Sequence, residues 1–361
     1  DAASQCFCEL PELSAIQPGP CSNECGCGCG FGNECDGGVG RYLGVEGGRV
    51  DHIDDGAQMK GLRNQGTQGA TVAVLGPAVG ADEGKDAGLT DELQAALDAG
   101  ALLRKRLAII GGGFIGLETA AVAARHGLEV TVIERAERIM ERAVGPATSA
   151  YFRQLHAREG VRVLEASEVM HVDENAEALS LTLQDGSALP ADLVLVGIGV
   201  IPATELAERA GLTTDNGIVV DAFGRTSAGR VWAAGDCAAF PLDDRRLRLE
   251  SVQNAVDHAK AVAADMLGAG TPYKPVPWFW SDQYDAKLQI AGLFHGYTSV
   301  VSRRSGSGES HWYFKGERFI AVEAINAPAA FMTGRKLLEG GIDLSPASMA
   351  QESFDPRSRL G

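Results

Sequence analysis

Six consecutive residues, Gly111-Gly112-Gly113-Phe114-Ile115-Gly116, carry the spacing G-x-G-x-x-G. Each spaced glycine has its own task. Gly111 permits a tight turn, Gly113 lets the backbone approach a pyrophosphate, and Gly116 lets a helix lie close to a strand. The helix beginning at Phe114 and Ile115 offers N–H groups to phosphate oxygens. Glu134 stands 18 residues beyond Gly116 at the end of the next strand. A carboxylate there accepts hydrogen bonds from the adenosine ribose hydroxyls. It repels a 2′-phosphate, so NADH is expected over NADPH, with Arg135 and Arg138 weakening the preference slightly. A bare glycine-rich turn would not need strand, helix and acid together.

Other residues could also do chemistry. Asp236 follows Val231-Trp232-Ala233-Ala234-Gly235, read as a buried strand with an acid at its carboxyl end. Such an acid faces the crevice where open α/β sheets bind ligands, or caps the next helix. Glu118 sits one turn into the helix after the glycine loop. It is either an acid of raised pKa in a closed site or a solvated helix carboxylate. Trp278 and Trp280 flank Phe279 on a Pro-bounded strand. Seven of the eight cysteines lie in the first 35 residues, spaced C-x-C and C-x3-C-x-C-x-C-x5-C. Thiolates there could hold a metal or an iron–sulfur cluster, form a disulfide framework, or belong to a Gly/Cys tract. The spacing matches no familiar ligand run, so no metal site is assigned. No C-x2-C or C-x4-C pair occurs, so no redox disulfide is expected, and Cys237 reads as a small buried filler.

These residues need elements to hold them. The reading places strands at Thr71–Leu75, Leu107–Ile110, Val130–Ile133, Val161–Leu164 and Leu193–Val196. Helices run from Thr90, from Phe114 to His126 with Gly127 past the end, and from Pro146 to Gly160. Alternating strands near Glu168–Val172 and Leu179–Leu183 form an insertion, giving an open α/β sheet. Before residue 70 no strand–turn–helix unit is legible. The 361 residues are 45% hydrophobic and 22% charged, with net charge -16. That argues against nonspecific binding to nucleic acid or anionic membrane. No run of about 18 apolar residues and no signal-peptide pattern occurs, which favours a cytoplasmic protein.

Five motifs together resemble the flavin-dependent ferredoxin–NAD reductases of oxygenase systems, within the pyridine-nucleotide disulfide oxidoreductase superfamily. They are the glycine loop through Glu118, then Val196-Gly197-Ile198-Gly199-Val200-Ile201-Pro202, then Val231–Asp236. The last two are Glu250-Ser251-Val252-Gln253-Asn254-Ala255 and Pro277-Trp278-Phe279-Trp280-Ser281-Asp282-Gln283-Tyr284-Asp285. The resemblance implies an α/β fold with two Rossmann-like dinucleotide-binding domains, the first aberrant here, plus a small C-terminal α/β interface domain. FAD would be held by 1–86 with 216–270, NAD by 87–215, and 271–361 would form the interface domain.

It also implies roles. Asp236 would grip the FAD ribityl chain. The backbone of Val252 would meet the flavin N1–O2 edge at a helix start, stabilising reduced flavin. Gly199 and Pro202 would border the nicotinamide, with Ala203 where the family carries Asn. Glu118 would face the nicotinamide–flavin junction without the family's lysine partner, since only Lys60 and Lys85 precede residue 86. Trp278 and Trp280 would serve packing or electron routing at a flavin edge, or form an aromatic pair between domains. Residues 1–80 hold no second G-x-G-x-x-G. The implied reaction passes hydride from NADH to FAD and single electrons to a [2Fe–2S] ferredoxin, by a monomer or homodimer. An NADH oxidase or nitrite-reductase-like enzyme, and a flavin-deficient NAD-binding protein, stay open as alternatives. A docking rim for the ferredoxin is expected at Arg303-Arg304, Arg335-Lys336, Arg245, Arg246 and Arg248.

Overall fold

A parallel sheet, antiparallel sheets and helices meet around the glycine loop. The computed structural model describes residues 50–51, 71–74, 105–174 and 179–360. All lie in the unit spanning Val39–Gly361. The cysteine cluster, Lys60, Lys85, the helix expected from Thr90 and nearly all of 1–86 lie outside the described residues.

Strands β1 (Val50–Asp51), β2 (Thr71–Val74), β3 (Arg106–Ile110), β4 (Glu129–Ile133) and β5 (Arg162–Leu164) come first in the chain. After them come β6 (Val169–Glu174), β7 (Leu179–Leu183), β8 (Ala188–Ala191) and β9 (Leu193–Val196). Five of these form a parallel sheet in the order β2-β9-β3-β4-β5. Its apolar runs serve two faces at period two. Leu107 and Ile109 pack with Val130, Val132 and Leu195 against the helices. Ala108 and Ile110 turn to the opposite side, where Leu179, Leu181 and Leu183 of the antiparallel sheet β1-β6-β7-β8 cover them.

The helices are α1 (Phe114–Arg125) and α2 (Pro146–Arg158). Leu117, Ala120 and Ala123 bury one stripe of α1. Both helices stop as their sequences require. Gly127 takes φ 82 and Gly160 φ 84. The next residues donate back five positions, Leu128 N–H to Ala123 O at 3.1 Å and Val161 N–H to His156 O at 2.9 Å. A left-handed glycine after the cap makes that closure possible.

Residues 205–266 hold α3 (Glu205–Arg209), the sheet β10 (Ile218–Val219), β11 (Ala238–Leu242) and β12 (Arg245–Leu247), and α4 (Val252–Met266). One expectation is corrected here. Val231–Ala234 is not a buried strand: it is half-buried extended chain, with only Trp232 bridging to Arg225. Its backbone bonds fall back on its own turn, Thr226 N–H to Val231 O at 3.0 Å and Ala233 N–H to Gly224 O at 3.0 Å. Gly235–Cys237 forms a 3₁₀ turn before β11, so Asp236 sits on a turn.

The final sheet is antiparallel, made of β13 (Trp278–Gln283), β14 (Ala286–Gly292), β15 (Ser299–Ser305), β16 (Gly308–Lys315) and β17 (Arg318–Ile325), ordered β13-β14-β17-β16-β15. Helix α5 (Pro328–Glu339) lays Phe331 and Leu337 into a core with Trp312, Phe314 and Val322. The sequence leads one to expect strands near Lys287–Leu293, His311–Phe314 and Phe319–Asn326 and a helix after Pro328, but not β15, whose side chains are mostly exposed and polar.

Candidate functional site

The loop after β3 has the geometry its glycines foretell. Gly111 has φ 107, and a Cβ on it would lie 2.4 Å from Gly197 O. A Cβ on Gly116 would lie 2.1 Å from Gly111 O, so helix and loop touch at bare backbone. Gly113 differs: nothing stands within 4 Å of where its Cβ would be. It is the N-cap of α1, with no side chain capping the helix. That open cradle at a helix N-terminus fits a dinucleotide pyrophosphate.

Glu134 reaches the same loop. Its Oε2 accepts from Gly112 N–H at 2.7 Å and its Oε1 from Ala136 N–H at 2.7 Å. Each carboxylate oxygen keeps a lone pair for a further donor. Across the crevice, the segment after β9 carries Gly199 at φ 115 with open space around it. Ile198 and Ile201 are exposed there.

Phe114 and Glu118 lie one turn apart on α1 and face β13, whose residues 279, 281 and 283 share one side. Phe114 packs on Phe279 with ring centroids 4.6 Å apart. Ser281 Oγ donates to Glu118 Oε1 at 2.5 Å. Burial, opposed by that hydrogen bond and reinforced by the Asp282 charge, pushes the Glu118 carboxyl up to about 7. Glu118 is therefore not a solvated helix carboxylate. Its partner is a hydroxyl that the sequence reading did not single out.

Asp236 occupies the turn before β11. Its Oδ1 is buried and has no hydrogen-bond partner. Burial first, then the Glu250 charge, raises its pKa, while Arg248 opposes. Gln253 Oε1 and His258 Nε2 on α4 are likewise buried without partners. Ser251 caps α4, accepting from Asn254 N–H at 3.3 Å, and Val252, the first helical residue, is 55% exposed. His258 is packed against Phe240 and Tyr273 deeper along α4, while the orphaned atoms of Asp236 and Gln253 near the open helix start suit a ligand with a polar edge. They fit the ribityl and pyrimidine side of a flavin. A cavity of about 1000 Å³ adjoins this helix start, walled by Ser251, Gln253, Phe114, Phe279 and Trp278.

Trp278 and Trp280 divide their tasks. Trp278 lies between Phe331 at 5.9 Å and the Arg335 guanidinium at 4.7 Å, packed toward α5. Trp280 is 41% exposed and 5.7 Å from Trp278. Much of the expected basic rim is already engaged. Arg335 pairs with Glu339 at 2.7 Å and Arg248 with Glu250, and Arg303 donates to Phe354 O at 2.7 Å. Arg245, Arg246 and Lys336 are exposed. Among the described residues no group of His, Cys, Asp and Glu could hold a metal, and no helix is long and apolar enough to cross a membrane. Cys237 is half-buried, with its thiol pushed up chiefly by burial.

Known proteins share this arrangement. Residues 66–259 match the pyridine nucleotide-disulphide oxidoreductase family, and residues 278–360 match the reductase C-terminal family. Rhodocoxin reductase of Rhodococcus erythropolis is 45% identical over 254 residues, covering 69% of this chain and 60% of that protein. Putidaredoxin reductase of Pseudomonas putida is 39% identical over 255 residues, again 69% of this chain and 60% of the relative. The chain thus spans about 60% of the length of these relatives. The crystal structure of the ferredoxin reductase for the CYP199A2 system from Rhodopseudomonas palustris superposes with TM-score 0.71 at 40% identity, covering 75% of this chain and 67% of that one. The covalent putidaredoxin reductase–putidaredoxin complex gives TM-score 0.71 at 33% identity, covering 81% and 74%. With a parallel α/β sheet carrying the glycine loop and an antiparallel sheet packed on its first helix, this chain belongs to the pyridine nucleotide-disulphide oxidoreductase family.

Proposed function

We propose that this chain is an NADH-dependent, FAD-containing ferredoxin reductase. The observation that carries the reading is the loop itself: Gly111 and Gly116 sealed against backbone, Gly113 open, and Glu134 bonded to the same loop. The adenosine ribose meets Glu134, the pyrophosphate crosses Gly113 at the start of α1 beside Phe114 and Ile115, and the nicotinamide lies between Gly199 and Glu118. FAD is held on its ribityl side by Asp236 and at its pyrimidine edge by the Val252 backbone. When bound, it takes a hydride from NADH and gives up single electrons. Trp280, exposed beside this edge, contacts the cofactor or shields it, while Trp278 steadies it from behind.

We assign FAD binding to 1–86 with 216–270, NAD binding to 87–215, and the interface to 271–361, with a Rossmann-like domain for each dinucleotide, the first of them aberrant. We take the partner to be a [2Fe–2S] ferredoxin; the likeness to a putidaredoxin reductase solved in complex with putidaredoxin supports a separate protein partner. The protein works in the cytoplasm as a monomer or homodimer.

Calorimetric titration with NADH and with NADPH tests the nucleotide assignment. A carboxylate against a 2′-phosphate should make NADPH binding at least about tenfold weaker. Glu134→Ala should narrow the gap. Equal affinities in the wild type would contradict the placement of Glu134.

A further inference from the structure

A chain of hydrogen bonds, buried in the middle and half-buried at its ends, runs from Glu118 to the tip of the β13–β14 hairpin. Ser281 Oγ donates to Glu118 Oε1 at 2.5 Å. Gln283 Nε2 donates to Ser281 Oγ at 3.1 Å. Its other amide atom, Oε1, lies 2.9 Å from His156 Nε2, which must therefore carry a proton. Burial lowers the pKa of His156, so the ring is neutral and its Nδ1 is an acceptor. The Tyr284 hydroxyl, 3.2 Å away, donates to it. Every donor in the series points toward Glu118. Ser281, Gln283 and His156 are buried.

The backbone gives an independent sign. Tyr284 and Asp285 form the two-residue loop between β13 and β14, and Tyr284 has φ 57. A first loop residue in the left-handed region is ordinarily glycine or asparagine, and a bulky side chain there is strained. Such strain collects where a side chain has a task. Here the conformation coincides with the tyrosine hydroxyl against His156 and the ring under the Arg125 guanidinium at 5.5 Å.

We propose that Tyr284, His156, Gln283 and Ser281 are positioning residues that orient the Glu118 carboxyl through a one-way hydrogen-bond chain and transmit to it the state of the hairpin tip. The proposal rests on the reading that Glu118 borders the nicotinamide. The chain begins on α2 and the β13–β14 loop, remote from the glycine loop, so it couples the interface sheet to the dinucleotide crevice. The titratable groups around it are few. Asp282 on β13, paired with Lys287 at 3.9 Å, acts on Glu118, and Glu159 and Arg125 flank Tyr284. Proton hopping is not part of the proposal, because the Gln283 amide is a poor proton carrier.

The test is infrared spectroscopy of the full chain across a pH series without nucleotide, following the protonated carboxyl C=O band that disappears in Glu118→Gln. The wild-type midpoint should fall near 7. Ser281→Ala should raise it by about one pH unit, since a hydrogen bond to the charged form is lost. Ser281→Thr, which keeps the hydroxyl, should restore it. Tyr284→Phe removes one distant hydroxyl and keeps the ring and the turn, so it should shift the midpoint upward by a smaller amount. Identical midpoints in wild type, Ser281→Ala and Tyr284→Phe would overturn the chain. A second arm separates this from the nucleotide reading. NADH titration of the same proteins should show weaker binding in Ser281→Ala, whereas a wild type that binds no NADH contradicts the nucleotide reading while the infrared shifts still report the chain.

Discussion

The three spaced glycines have tasks that separate by steric surroundings, so their substitutions should fail in different ways. A methyl on Gly116 meets the Gly111 carbonyl at 2.1 Å and cannot be accommodated without moving backbone. Gly116→Ala should cost about 2–3 kcal/mol in urea melts. Gly113→Ala should leave stability within about 0.5 kcal/mol, because its φ of -80 suits alanine and no atom lies near. It should nonetheless weaken NADH binding at least about tenfold, since the methyl occupies the pyrophosphate's approach. Retained NADH affinity in Gly113→Ala would place the nucleotide elsewhere. Glu118 gives a second residue-scale prediction. Its folded pKa is raised to about 7, chiefly by burial. A carboxyl raised in this way favours the fold at low pH and loses that contribution as pH climbs through the folded value. Glu118→Gln should therefore gain stability over wild type between about pH 5 and 8, by up to about 3 kcal/mol. A constant difference across that window would contradict the buried carboxyl. The loop that joins the glycines to Glu134 was legible in sequence because its geometry needs only local spacing. Ser281, Gln283, His156 and Tyr284 were not, since they join α1, α2 and β13 across more than a hundred residues. Only the period-two alternation of Phe279, Ser281 and Gln283 hinted that a polar pair faces inward.

Between elements, one buried carboxylate ties α2 to the C-terminal antiparallel sheet. Glu323 of β17 is fully buried. Its Oε1 accepts from Gly145 N–H, the N-cap of α2, at 2.8 Å. Its Oε2 accepts from Thr148 Oγ1 and from the Tyr313 hydroxyl, the latter at 2.9 Å. Gly145 has no side chain to cap the helix, so the cap comes from a strand 178 residues away. A Cβ on Gly145 would lie 2.1 Å from the Tyr313 hydroxyl, which fixes both residue types. Glu323→Ala strands three donors, all of them buried, and should cost about 3 kcal/mol by urea melts. Glu323→Gln keeps one acceptor and should cost roughly a third of that. Equal, negligible losses would mean that α2 and the sheet do not depend on this contact. Helix ends were readable beforehand at Gly127, Pro146 and Gly160, because caps are local. The status of Val231–Ala234 was not. An apolar run shows readiness to pair but not whether a neighbouring strand is present. Strand β15 escaped for the opposite reason: an exposed edge strand needs no apolar face.

For the whole molecule, charge sets the association problem. A net charge of -16 repels an acidic partner unless a local basic surface offsets it. With Arg248, Arg303 and Arg335 committed to partners within the fold, Arg245, Arg246, Lys336 and Arg304, the last loosely paired with Glu309 at 3.8 Å, are the exposed cations of that rim. Ferredoxin-dependent cytochrome reduction should fall several-fold between low and physiological salt, and reversing Arg246 and Lys336 to Glu should lower it further. A rate indifferent to salt would remove docking from this rim. The central claim is that one chain brings NADH at the glycine loop against a flavin held by Asp236 and α4. Anaerobic rapid mixing of the FAD-loaded full chain with NADH, followed by visible flavin absorbance, measures it directly. Rapid bleaching is expected with NADH, slow bleaching with NADPH, and low flavin content with little bleaching in Asp236→Ala. A chain that takes up no flavin, or one whose flavin stays oxidised in excess NADH, would contradict it.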